Sequence, residues 1–214
     1  MSKLVLALPK GRLFKETVKL FREAGLLEEE LVEGRKLVLE TERFKILLAK
    51  PKDVPTLVSS GFADLGVSGL DTLMESKKEL PQLLDLGIGR CRICIAGRPE
   101  KREEYKNLSS IRVATKYPNI ARDFFERKGV KPFIYVMNGS VELAPLIGMT
   151  DYILDLVQTG RTLKENGLVV IEEIAASTAR LVVNPDSFYL KNDTVLEICE
   201  ILQPHLEVEQ KTAP

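Results

Sequence analysis

The stretch "DYILDLVQTGRTL" (151–163) carries two acids on an apolar run and ends in Thr159-Gly160-Arg161-Thr162-Leu163. The run has the length of a strand, and Thr-Gly bounds it. On a strand, Asp151, Ile153, Asp155 and Val157 share one face, so both carboxylates point the same way. A buried strand has no packing use for such groups. Thr162 and Glu165 fit a capping box, which predicts a helix beginning there. Gly160 lets backbone approach a ligand closely. Free N–H groups at the helix start, two hydroxyls and the Arg161 side chain can together cradle a phosphate. The helix dipole alone contributes only about 0.3–1 kcal/mol at an exposed site, so several donors must converge. A loop for a terminal phosphate beside carboxylates for vicinal hydroxyls describes a ribose 5-phosphate, and hence phosphoribosyl transfer. Taken singly, Asp151 could instead cap a turn and Asp155 could pair with a lysine.

Outward from this stretch the chain repeats one grammar. Residues 112–115 read as a strand, 118–128 as a helix closed by Gly129, and 133–137 as a strand with Asn138-Gly139 as its turn. Ser140 is placed to cap a helix through Leu146, closed by Gly148. The earlier part of the chain runs alike: strand 3–8, loop 9–12, amphipathic helix 13–24 stopped by Gly25, and strands 36–40 and 44–49. A short helix capped by Asp53, with Pro55 in its first turn and Gly61 at its end, then leads into the buried strand of "FADLGVSG". Both halves join helix end to strand through G-x-x-D, at Gly61–Asp64 and at Gly148–Asp151.

This alternation predicts an α/β fold of two doubly wound lobes, with parallel sheets and helices on both faces. Ligands of such folds bind where strand C-termini meet, here a cleft between the lobes. A strand at 91–96 crosses between the lobes, "GLVVIEEIAASTARLVVNP" (167–185) supplies strands that cross back, and a helix at 193–202 docks on the first lobe. Lobe I is then discontinuous, residues 1–91 and 177–214, and lobe II spans 92–176. The charge runs "KKEL" and "RPEKREE" read as solvated surface.

Lys+Arg and Asp+Glu are 31 each, so no broad basic field exists and no nucleic-acid partner is expected. No apolar run approaches the ~20 residues of a membrane span. The apolar run at the N-terminus is too short for a signal peptide, so a cytoplasmic protein away from membranes is expected. Cys91 and Cys94 would point to opposite faces of a strand, and no second pair accompanies them, so they read as packing residues. The single histidine, His205, falls near a helix end beside Pro204. Chemistry must proceed without a histidine base or a metal cage built by the protein.

The motif Glu142-(five residues)-Gly148-Met-Thr-Asp151-Tyr-Ile153-Leu-Asp155-Leu-Val-Gln-Thr159-Gly160-Arg161-Thr162-Leu163 resembles the signature of the ATP phosphoribosyltransferases. "LALPKGRL" (6–13), "PKDVPTLVSSGFADLGVSG" (51–69), "ATKYPNIARDFFERKG" (114–129) and "MNGSVELAP" (137–145) resemble further blocks of that family, in its order. Thr150 stands where the family usually has a smaller residue, and Lys50 where an arginine is expected; lysine keeps the charge but loses the bidentate fork. The resemblance implies a bilobal fold like type II periplasmic binding proteins. It implies a glycosyltransferase in which N1 of ATP attacks the anomeric carbon of phosphoribosyl pyrophosphate (PRPP) and pyrophosphate leaves with Mg²⁺ carried on the substrate, the first step of histidine biosynthesis. The length matches the short form of the family. That form implies a homodimer within a larger hetero-oligomer, with a regulatory subunit resembling histidyl-tRNA synthetase.

Site residues follow from the same resemblance. Asp151 and Asp155 would contact the ribose hydroxyls, or Mg²⁺ through water, while Thr159, Gly160, Arg161 and Thr162 hold the 5-phosphate. Glu142 has a ribose-side role. Lys10 and Arg12, in a loop feeding a helix N-terminus, would contact ATP phosphates or the leaving pyrophosphate, with Arg35 a further pyrophosphate candidate that could act across a dimer interface. Gly11, Ser68 and Gly69, with Gly66, would line the nucleotide side, and Tyr117 would border the adenine. A two-lobe binding module without turnover is the alternative class. A dinucleotide-dependent oxidoreductase is remote, since no G-x-G-x-x-G follows the first strand.

Overall fold

The protein is described from a computed structural model over residues 3–28 and 31–212. The chain opens with β1 (Leu4–Pro9) and α1 (Arg12–Glu23), followed by β2 (Val38–Glu40) and β3 (Phe44–Ala49). A 3₁₀ turn at Pro51–Asp53 leads into α2 (Val54–Ser59), β4 (Leu65–Gly69), α3 (Leu70–Ser76) and β5 (Gln82–Asp85). Next come β6 (Cys91–Gly97), α4 (Arg102–Tyr105), β7 (Ser110–Thr115), α5 (Pro118–Arg127) and β8 (Lys131–Val136). Then follow α6 (Leu143–Leu146), β9 (Tyr152–Val157), α7 (Arg161–Glu165) and β10 (Val169–Ser177). The chain closes with β11 (Ala179–Val183), α8 (Pro185–Leu190) and α9 (Asn192–Thr212).

Two compact units result. Unit 1 comprises Met1–Arg90 and Thr178–Pro214, and unit 2 is Cys91–Ser177. The sheet of unit 1 has the order β2-β3-β1-β4-β11-β5. Its centre, β3-β1-β4, is parallel, but β2, β11 and β5 run antiparallel to their neighbours. The sheet of unit 2, β10-β6-β9-β7-β8, has a parallel β9-β7-β8 half and an antiparallel β10-β6 half. The expectation of wholly parallel sheets is therefore corrected at the antiparallel strands. Period-2 patterning reports burial, and it does not report strand direction.

The core of unit 1 forms where α1 and α9 cover the sheet. Phe14, Val18, Leu20 and Phe21 of α1 are buried at helical spacing against Leu6, Leu8 and Phe44, and α9 adds Val195, Ile198, Leu202 and Leu206. Burying each such side chain contributes roughly 1.5–3 kcal/mol. In unit 2 a smaller cluster joins Cys94 and Ala96 of β6, Ala114 of β7, Ile153 and Val157 of β9, and Leu163 of α7.

Three local expectations fail for identifiable reasons. Ser140 adopts φ 47 and does not cap α6; its carbonyl accepts from Leu143 N–H, and Glu142 holds the cap position. Asp53 makes no side-chain cap bond, because its position belongs to the preceding 3₁₀ turn. Thr162 and Glu165 do not form a capping box. Gly160 takes the N-cap of α7 in a left-handed conformation, and Glu165 instead accepts from Arg161 Nε at 2.8 Å.

Candidate active site

The C-terminal ends of β7 and β9 converge in unit 2, with Thr115 paired to Leu154 in parallel register. Thr115 Oγ1 donates to Leu154 O at 2.7 Å and accepts from Tyr117 N–H at 2.9 Å, which fastens the two strand ends together through buried bonds. Asp155 follows one residue later on β9, with its side chain 17% exposed. Its Oδ1 is buried without a hydrogen-bond partner, and Lys116 Nζ stands 3.4 Å away as an ion pair. Burial pushes the Asp155 carboxyl above its ordinary range; Lys116 opposes this, and the nearby Glu142 charge adds to it. Glu142, at the N-cap of α6, therefore lies on the Asp155 side.

Beyond Val157 the chain turns through Gln158-Thr159-Gly160 into α7. Gly160 has φ 75, a conformation that costs a side-chain-bearing residue about 1–2 kcal/mol. Thr159 Oγ1 accepts from Arg161 N–H at 3.4 Å. The first N–H groups of α7 have no partner within the helix, and that of Arg161 donates to the Thr159 hydroxyl. Arg161 is 83% exposed and its side chain is drawn along the helix to Glu165. Tyr117 caps α5 in unit 2 with its ring buried, and Lys116 Nζ lies 5.3 Å from the ring centroid.

Asp151 is not part of this constellation. It precedes β9, where Arg112 Nη2 contacts its Oδ2 at 3.0 Å and Lys101 Nζ its Oδ1 at 3.6 Å. Seven residue steps separate it from Gln158, about 23 Å at ~3.3 Å per residue. Asp151 and Asp155 are on one face of the strand, as the period requires, but Asp151 is at the end remote from the loop. Of the two acids the structure brings Asp155 beside the loop, while Asp151 lies at the strand's start, paired to Arg112 and Lys101. Lys116 escaped the sequence reading; its signal is its place between a parallel strand's C-terminus and a helix N-terminus.

In unit 1, Lys10 and Gly11 follow the C-terminal end of β1. Gly11 caps α1 at φ 88, and its N–H donates to Glu33 Oε2 at 2.7 Å. Arg12 opens α1 and pairs with Glu16 at 3.5 Å. Ser68 is buried on β4, and Gly69 caps α3 where a Cβ would collide with the Asp71 carboxylate. Gly66 has a packing reason instead, since a Cβ there would stand 2.6 Å from Val58 Cγ2. Lys50 and Arg35 are exposed.

The paired α/β units define a protein with the two-lobed fold of type II periplasmic binding proteins. Holo ArgBP of Thermotoga maritima shares it, with a TM-score of 0.57 over 99% of this chain and 92% of that one, at 18% identity. On that scaffold, a carboxylate beside a glycine-headed loop fits a sugar-phosphate transferase. The family profile "HisG: ATP phosphoribosyltransferase" matches residues 50–204, and the chain belongs to that family. The ATP phosphoribosyltransferase of Aquifex aeolicus is 58% identical over 199 residues, 93% of each chain. That of Bacillus subtilis is 44% identical over 213 residues, 98% of each. An "ATP phosphoribosyl transferase (HisG:HisZ) complex" from T. maritima aligns at 34% identity and a TM-score of 0.81 over 95% of this chain and 98% of that one. The reaction is the transfer of phosphoribosyl from PRPP to N1 of ATP with release of pyrophosphate, the first step of histidine biosynthesis. Among the described residues, no helix is long and apolar enough to cross a membrane.

Proposed function

We propose that unit 2 holds PRPP at the C-terminal end of β9. Asp155, assisted by Glu142, accepts hydrogen bonds from the ribose hydroxyls, and the main-chain N–H groups of residues 159–162, with the Thr159 and Thr162 hydroxyls, take the 5-phosphate. The carrying observation is Asp155 Oδ1, a buried acceptor without a hydrogen-bond partner, three residues before the loop. Its contact with Lys116 Nζ at 3.4 Å is an ion pair rather than a close hydrogen bond, so a ribose hydroxyl could still donate to it. Arg161 would reach the phosphate by releasing Glu165.

On unit 1, Lys10, Gly11 and Arg12 are assigned to the ATP phosphates or the departing pyrophosphate, Arg35 to pyrophosphate, and Ser68 and Gly69 to the nucleotide. Tyr117, buried at the start of α5, is assigned to the adenine. No covalent nucleophile is needed. Catalysis then consists of positioning the anomeric carbon for N1 and stabilising charge on the leaving group. We assign the Mg²⁺ ion to the pyrophosphate of PRPP; among the described residues no three His, Cys, Asp or Glu side chains gather to hold a metal. When bound, that ion would neutralise charge on the leaving group. We further assign the chain to the cytoplasm, as a homodimer within a hetero-oligomer. Its regulatory partner would correspond to the HisZ named with the T. maritima relative and resemble histidyl-tRNA synthetase.

Calorimetric titration with PRPP and Mg²⁺ tests the site. Wild type should bind, and Asp155→Asn and Gly160→Val should each weaken binding at least tenfold. Unchanged affinity in both variants would remove the assignment. Absorbance of N1-phosphoribosyl-ATP, with and without the partner subunit, reads turnover.

A further inference from the structure

We infer that Lys116 is a positioning residue for this reaction: from the end of β7 it holds Asp155 as an ionised, correctly aimed acceptor for PRPP. The inference rests on the reading of Asp155 above and extends it to a residue that no motif singled out.

The placement follows from the sheet. Thr115, the last residue of β7, is level with Leu154 of β9, so residue 116 is level with Asp155. The two strand ends are tied by the buried Thr115 hydroxyl, which bonds both Leu154 O and Tyr117 N–H. Lys116 is thus fixed by backbone on both sides. Its stem leads to an Nζ that lies between the Asp155 carboxylate at 3.4 Å and the Tyr117 ring face at 5.3 Å. The Lys116 side chain is only 32% exposed, so its charge acts in a partly desolvated setting.

The groups facing Asp155 from each neighbouring element weigh the balance. Glu142, before α6, is acidic and adds repulsion. Cys94 of β6 is its register partner, a buried thiol whose own titration is pushed up by burial. Arg161 of α7 is turned to Glu165. Among the described residues, Lys116 is the cation paired with it. Burial and Glu142 both favour the neutral acid, and Lys116 opposes them. A protonated Asp155 would offer a donor and a weakened acceptor to a ribose diol that needs acceptance, so losing Lys116 should impair PRPP capture most at low pH.

The test compares Lys116→Met and Lys116→Arg in the full-length protein. It reads the pH profile of kcat/KM for PRPP and, directly, calorimetric PRPP affinity with Mg²⁺. In Lys116→Met the acid limb should move up by about one pH unit or more, with binding recovering toward wild type as pH rises, because an opposite charge at this range typically shifts a carboxyl by that much. Lys116→Arg should keep the wild-type limb. Loss of activity by a similar factor at every pH, with the limb unmoved, would overturn the inference in favour of direct substrate contact or a purely structural pair. Should Lys116→Met fail to fold, Lys116→Gln supplies the same comparison. In an Asp155→Asn background the limb should vanish and the Lys116 substitution should cost nothing further. If Asp155→Asn leaves PRPP affinity intact, the site reading itself fails. If it weakens binding while the Lys116 limb stays put, only the present inference fails.

Discussion

The two units start a central strand in the same way and finish it differently. In unit 1 the G-x-x-D acid, Asp64, opens β4; in unit 2 its counterpart, Asp151, opens β9. Asp64 is almost fully buried. It accepts from Val5 N–H and Ser187 Oγ and from Lys191 Nζ at 2.8 Å on each oxygen. Burial alone would raise its carboxyl, but Lys191, Val5 N–H and Ser187 outweigh burial and hold it below the usual range. Asp151 does related work with half-exposed partners. Four residues on, Ser68 in unit 1 stands where unit 2 has Asp155, whose carboxyl is raised and whose Oδ1 is unmet. The acid at the strand's start in unit 1 is fully hydrogen-bonded by the fold; the acid at the strand's end in unit 2 has a looser ion pair with Lys116 and one oxygen short of a hydrogen bond. If Asp155 binds substrate as proposed, the same scaffold separates stability from chemistry by which end of the strand carries the charge.

The largest expected effect comes from Asp155→Asn. Turnover should fall by about 10²–10³, the range seen when a preorganised polar partner is lost. The ligand-free protein should nevertheless melt higher. A raised folded pKa means that ionisation costs stability as pH climbs through it, so the gain should be absent at low pH and full at neutral pH. A lower melting temperature at neutral pH would break the contrast. Asp64→Asn should do the reverse. Removing one partner of a buried pair costs about 3 kcal/mol, readable by denaturant unfolding, while activity per folded molecule is retained. Since the folded Asp64 carboxyl is depressed, its stabilisation is present above the ordinary carboxylate value and lost as pH falls through the lowered one. The variant's stability should therefore depend less on pH in the acid range. Gly160→Ala should cost about 1 kcal/mol of stability from its positive φ, and several-fold in PRPP affinity. Its Cβ would meet only Val157 Cγ1 at an ordinary 3.8 Å, so space is not the reason. Asp151→Asn should change stability by less than about 1 kcal/mol and leave PRPP affinity untouched. A large affinity loss would return Asp151 to the site and dissolve the distinction between strand ends.

Periodicity made the frame legible. Strand β3 (Phe44–Ala49) reads as a short apolar run bounded by polar residues, and the buried face of α1 recurs at helical spacing. Short elements without a clear period were not legible. β5 has one exposed residue and three half-buried ones, and α3 ends at Lys77 with φ 55, where a glycine stop would have announced it. The strand period put Asp151 and Asp155 on one face, but it could not say where the strand began. That single unknown decided which acid lies beside the loop. Lys116 was hidden for a related reason: its importance comes from being level with Asp155 on a neighbouring strand, a relation between segments about forty residues apart. The loop itself was readable from Thr159-Gly160, because a left-handed turn leaves a glycine in the sequence.

The long closing helix has a consequence for biogenesis. Val195, Ile198, Leu202 and Leu206 of α9 belong to the same apolar cluster as Leu4, Phe14 and Phe44 at the other end of the chain. On the ribosome, the opening segment emerges first yet cannot seal its interior until the whole of unit 2 and then α9 have been made. At typical elongation rates that delay is on the order of 5–20 s. For that interval the nascent protein carries an uncovered greasy face on α1 and β1, which makes its early segment the natural client of chaperones and the place where slow translation would do most harm.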